Sequence, residues 1–78
     1  MSITVRFFAS IREKLGKGEV LIEAKGVSSA SDVWDRVAST PIPPNTLVAI
    51  NQEHVSLAQA VRDGDEVAFF PPITGGAT

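Results

Sequence analysis

The sequence predicts an α+β domain of two layers, a mixed sheet of about five strands with one main helix on one face. Three observations predict it. Residues 3–8 and 66–70, near the two ends, alternate apolar and polar side chains with the period of half-buried strands. Residues 29–39 carry an apolar stripe at helical spacing. The chain is 78 residues long, enough for one domain in which a single helix covers one sheet face and leaves the other open.

The elements follow in order. Ile3, Val5 and Phe7 share one face of the first strand, and Thr4, Arg6 and Phe8 the other. Residues 9–15 predict a short helical turn, broken by Gly16-Lys17-Gly18. Residues 19–24 predict a second strand, a hairpin partner of the first across a long connection. Ser29 opens the main helix, its hydroxyl capping free N–H groups, and Asp32 completes a capping box. Ala30, Val33, Trp34 and Val37 form the buried stripe, with Trp34 at the helix edge of the core. Pro41 ends the helix near Ser39, and Pro43 and Pro44 keep residues 40–45 a loop. Residues 47–50 predict a short buried strand, Asn51-Gln52 a turn carrying an exposed His54, and Val55 a brief return strand. Ser56 is placed to cap a single helical turn over residues 57–61. Asp63-Gly64-Asp65 is a turn. In the last strand Val67 and Phe69 face inward, and Glu66, Ala68 and Phe70 outward. Placing the first and last strands side by side, parallel and central, gathers Ile3, Val5, Phe7, Val67 and Phe69 into one core. That is the ubiquitin-like β-grasp arrangement, over residues 1–70, with an extended, flexible tail over residues 71–78.

Composition removes several function classes. Seven basic against nine acidic residues give a net charge of −2, the wrong balance for a surface that tracks phosphates, so no nucleic acid is expected. No apolar run is long enough for a membrane span, and Met1-Ser2-Ile3-Thr4-Val5-Arg6 lacks the pattern of a signal peptide, so a cytoplasmic protein is expected. Cysteine is absent, which removes disulfides, thiolate nucleophiles and thiolate metal sites. One histidine and no ligand-spaced cluster predict no metal and no cofactor held by this chain. Leu, Ile, Val and Phe supply 23 of the 78 residues, above the ~20% below which chains stay disordered. A mean hydropathy of +0.13 is high for a small domain and points to apolar surface reserved for a partner.

The tail, Pro71-Pro72-Ile73-Thr74-Gly75-Gly76-Ala77-Thr78, is the most informative segment. The prolines lack N–H groups and stop sheet pairing. Gly75-Gly76 carries no side chains and suits a channel too narrow for other residues. Residues 71–76 span up to about 20 Å when extended, enough to reach a partner's active site. The plainer reading is a frayed terminus of the kind most domains have.

Phe7-Phe8-Ala9, Arg12-Glu13, Ala49-Ile50-Asn51-Gln52 and, above all, the unbroken run from Asp63 to Gly76 resemble the small subunit of molybdopterin synthase. The resemblance covers the chain to Gly76, with residues 25–45 matching only in pattern. It implies a sulfur carrier. The terminal glycine carboxylate, with a reference pKa of about 3.5, is ionised and a poor electrophile. An ATP-dependent adenylating enzyme converts it to an acyl-adenylate, and sulfur from a persulfide donor or sulfurtransferase replaces AMP to give a thiocarboxylate. The tail, Thr74, Gly75 and Gly76 foremost, then enters the large subunit and delivers sulfur to cyclic pyranopterin monophosphate. Two small and two large subunits are implied, with Gly76 as the reacting residue and no catalytic side chain in this chain.

One departure matters: Ala77-Thr78 follow the second glycine, and Ala77 occupies the bond where that chemistry must occur. Proteolytic trimming, a cloning addition, or a chain that kept only the docking surface each account for it. The rival functions are a carrier for another thiolation pathway and a β-grasp interaction module without sulfur chemistry. The outward Phe8 and Phe70, together with Pro71 and Pro72, are the expected partner-binding residues. His54 joins them where the family often has an apolar residue. Arg6, Arg12, Lys14 and Lys17 are placed around the docking face or simply solvated. Asp63, Asp65 and Glu66 read as turn formers that steer toward a basic partner.

Overall fold

The computed structural model describes residues 2–72. It contains β1 (Ser2–Phe7), α1 (Ala9–Leu15), β2 (Glu19–Glu23), α2 (Ala30–Val37), β3 (Leu47–Ile50), β4 (Glu53–Val55) and β5 (Glu66–Phe70). The sheet order is β2-β1-β5-β3-β4. β1 and β5 are parallel, with Val5 opposite Val67 and Phe7 opposite Phe69. The β1–β2, β3–β5 and β3–β4 pairs are antiparallel. This is the arrangement expected from the alternating end segments, and it puts both of them in the middle of the sheet.

The core lies on one face only. Ile3, Val5, Phe7, Val67 and Phe69 meet Ala30, Val33 and Trp34 of α2 and Ile11 of α1. Phe7 and Phe69 stack at 6.0 Å, and Trp34 meets Phe69 edge-on at 5.1 Å. The Trp34 indole N–H donates to the Thr40 carbonyl at 2.9 Å, so its one polar atom is satisfied while the ring is buried.

The entry of α2 is as expected. The Asp32 N–H donates to the Ser29 hydroxyl and the Asp32 carboxylate accepts from the Ser29 N–H, a complete capping box. Hydrogen bonds from the Ser28 hydroxyl and Ser28 N–H hold the Asp32 carboxyl below its ordinary pKa, with those from Ser29 adding less.

Residues 9–15 form the expected short helical segment, a seven-residue α-helix. Two expectations are corrected. Phe8 leaves the strand: it is the extended N-cap of α1, although its N–H still donates to the Phe69 carbonyl at 3.2 Å. Residues 57–61 make a non-helical turn. Their carbonyls are engaged elsewhere: Gln59 accepts the Ala30 N–H and Leu57 the Ser31 N–H, two donors that the start of α2 leaves without intrahelical partners.

Candidate docking face

The sheet face turned away from α2 carries three rows of side chains, fixed by strand register. Phe70 and Leu47 form the row nearest Pro71, joined by Phe8, which stacks on Phe70 from just beyond β1. Glu19, Arg6, Ala68, Ala49 and His54 form the middle row, across all five strands. Leu21, Thr4 and Glu66 form the far row.

The Phe8 and Phe70 rings stack in parallel, 4.8 Å apart and 7° from coplanar. Phe8 is 38% exposed despite its size. Its outward direction survives its departure from β1, because Phe8 keeps an extended backbone and the chain turns only at Ala9, at φ 52°. His54 lies against the other side of Phe70, with centroids 6.0 Å apart. The position of His54 is a correction: it is in β4, opposite Ala49, and not on the turn. The turn is Asn51-Gln52 alone, both residues at positive φ. The structure thus brings Phe8, Phe70 and His54 into one ring cluster. Pro71 and Pro72, half-buried, follow directly and line a groove of about 430 Å³ against Ile11 and Pro43. Thr74, Gly75 and Gly76 lie outside the described residues.

The expected charges divide. Arg6 is on the face, held by Glu66 at 3.1 Å and Glu19 at 3.4 Å. The Lys17 ammonium donates to the Val37 carbonyl at the end of α2, which favours cations. The Arg12 side chain lies over Gly18, close enough that a Cβ there would meet its Nε at 3.0 Å. Lys14 lines the proline groove. Asp65 is a turn former, accepting from the Arg62 N–H at 2.8 Å and the Asn51 amide at 2.9 Å. No group of three or more His, Cys, Asp or Glu suited to a metal occurs among the described residues. No helix among them is long and apolar enough to cross a membrane.

Sequence reasoning missed the Arg6–Glu66 pair and the hollow between the rings and that pair. The signal was present in the alternation, which puts a small residue, Ala68, outward between Glu66 and Phe70.

The geometry is that of a small two-layer domain in which, among the described residues, one sheet face beside Pro71 and Pro72 is uncovered. The model of the ThiS family matches residues 5–76. The chain belongs to the ThiS family. Among sequence relatives, the molybdopterin synthase sulfur carrier subunit of Haemophilus influenzae is 40% identical, over 95% of this chain and 99% of the relative. Among solved structures, SAMP1 from Haloferax volcanii superposes with a TM-score of 0.74 at 28% identity, covering 97% of this chain and all of that one. A structure described as the complex of subunits 1 and 2 of molybdopterin-converting factor from Helicobacter pylori gives 0.65 at 18% identity, over 94% and 96% of the two chains, a likeness of fold.

Proposed function

We propose that this chain is the sulfur-carrier subunit of a molybdopterin synthase. The observation that carries the reading is the outward ring cluster of Phe8, Phe70 and His54, with Phe8 and His54 exposed and Phe70 half-buried, in a chain whose sequence continues to Gly75-Gly76. The near full-length likeness to a sulfur carrier subunit supports it. In this reading the ring cluster, Pro71 and Pro72 dock the large subunit, in a complex of two small and two large subunits, and residues 74–76 enter its active site. The Gly76 carboxyl is the reacting group. A separate adenylating enzyme activates it with ATP, a persulfide donor supplies the sulfur, and the resulting thiocarboxylate passes sulfur to cyclic pyranopterin monophosphate. The chain itself binds no cofactor and works in the cytoplasm, where its activating enzyme finds ATP.

The carboxyl of Gly76 is in amide linkage to Ala77 in the 78-residue chain, so activity requires removal of Ala77-Thr78. The test is ATP-dependent thiocarboxylate formation with the cognate adenylating enzyme and a persulfide donor, read by intact mass. The form ending at Gly76 exchanges one oxygen for sulfur and the 78-residue form does not. Modification of both equally refutes the trimming requirement. Modification of neither refutes the carrier reading and leaves a β-grasp interaction module. A carrier for a different thiolation pathway also fits the family model, whose match extends through Gly76. It would form the thiocarboxylate but fail to support sulfur transfer by the large subunit.

A further inference from the structure

The bare sheet face is not flat. Its middle row narrows to two alanines, Ala68 and Ala49, paired across β5 and β3. They floor a hollow of about 200 Å³. The stacked Phe8 and Phe70 rings wall it on the tail side. Gln52 and Glu66 close the opposite side, and Arg6 stands at the β1 flank. Ala49 is only 4% exposed although it points away from the core, so the floor is recessed beneath its neighbours.

We infer that this hollow receives one anchor side chain of the docked large subunit, an aromatic ring with a neutral hydrogen-bond donor at its tip, tyrosine or tryptophan. The inference rests on the docking reading above and adds the chemistry of the contact. Size admits a single large side chain. The walls and floor are aromatic and methyl surface on one side, which suits a ring body. The other side offers acceptors: the Glu66 carboxylate takes one hydrogen bond from Arg6 at 3.1 Å and keeps lone pairs for another donor. Charge selects against an anionic tip, which would meet Glu66 and Glu19, two carboxylates that share the single cation Arg6. A donor at the tip is complementary to the Glu66 carboxylate, and an aromatic body to the Phe8 and Phe70 rings. Tyrosine and tryptophan, with arginine, are the residues most enriched among interface anchors in desolvated pockets, and of the three only the first two bring the ring body that the walls suit.

The experiment is calorimetric titration of the form ending at Gly76 with the cognate large subunit, with a thermal melt of each variant. Ala68→Leu fills the hollow, and affinity is expected to fall by about tenfold or more, ~1.4 kcal/mol, with the melt unchanged. Glu66→Gln is expected to weaken binding by about fivefold. Glu19→Gln, which also removes a partner of Arg6 but does not line the hollow, leaves it within about twofold. If Ala68→Leu unfolds the domain, the contrast between Glu66→Gln and Glu19→Gln decides. Wild-type affinity for Ala68→Leu alongside weakened binding for Phe70→Ala overturns the anchor and leaves the docking face standing. Wild-type affinity for both overturns the anchor together with the docking face.

Discussion

Phe69 and Phe70 are neighbours in β5 that point to opposite faces, so truncating each separates stability from docking. Phe69 is fully buried, stacked on Phe7 at 6.0 Å and edge-on to Trp34 at 5.1 Å. Phe69→Ala removes a whole ring from a packed site with helix on one side and sheet around it. Such substitutions cost about 3–5 kcal/mol, and losing two aromatic partners places this one in the upper part of that range. A chain of 78 residues has a total stability of roughly 4–12 kcal/mol at 0.05–0.15 per residue. The variant therefore loses a third or more of its stability, and all of it if the wild type is at the low end. Phe70→Ala removes a half-buried ring whose main neighbours are Phe8 and His54, and should cost about 1 kcal/mol. Urea unfolding followed by Trp34 fluorescence measures both, since Trp34 touches Phe69 and not the outer face. Equal losses, or a larger loss for Phe70→Ala, would mean that the two faces of β5 are assigned the wrong way round.

The other expectations are smaller. Phe70→Ala should weaken large-subunit binding by more than about 1 kcal/mol while the domain stays folded, as calorimetry beside a thermal melt will show. The folded-state pKa of Asp32 is lowered from the ordinary 3.8 by its hydrogen bonds from Ser28 and Ser29. The ionised carboxylate therefore stabilises the fold above pH 3.8, and that contribution disappears as pH falls through the lower native value. Asp32→Asn should accordingly be less stable than the wild type near neutrality, with the gap closing in acid, as a series of denaturant titrations from pH 7 downward will show. Gln52 stands at φ 72° in the β3–β4 turn. Gln52→Gly relieves roughly 1–2 kcal/mol of left-handed strain against about 0.5–1 kcal/mol of added chain entropy. The melting temperature should rise by a few degrees.

Much of the fold was legible because its strands are read by period. The residues of β3 and β5 match the expected segments, and the inward side chains of β1 and β5 are those the alternation assigns. The capping box was legible because Ser29 and Asp32 act within one turn. The elements that escaped depend on distant partners or offer too few residues to show a period. Residues 57–61 have a plausible cap in Ser56, but their carbonyls are drawn to the N–H groups of Ala30 and Ser31, a demand made from about 30 residues away. β4 is three residues long, so nothing in its pattern placed His54 opposite Ala49. Phe8 and Phe70 were visible as outward positions. The hollow between them and Arg6–Glu66 was only half visible: the alternation puts the small Ala68 outward, but its floor also needs Ala49, which the β3–β5 register brings alongside.

The size of the bare face bears on why a carrier of this kind needs its tail for more than chemistry. Five strands at about 4.8 Å spacing, each about five residues long at 3.3 Å per residue, give a flat area of roughly 400 Å². A stable interface takes about 800 Å² from each partner. Side-chain relief raises the usable area of the face, but Arg6, Glu19 and Glu66 lie on it and pair with one another, so part of that area is polar and contributes little. Docking on the face alone therefore belongs with small, transient interfaces. In the carrier reading the residues that follow Pro72 add the missing area by entering the partner. Affinity then depends on a segment that must also be withdrawn so that its end can be recharged with sulfur. A modest face and an inserted tail give a complex that forms readily and still releases its carrier, whereas a larger apolar face would hold the spent subunit in place.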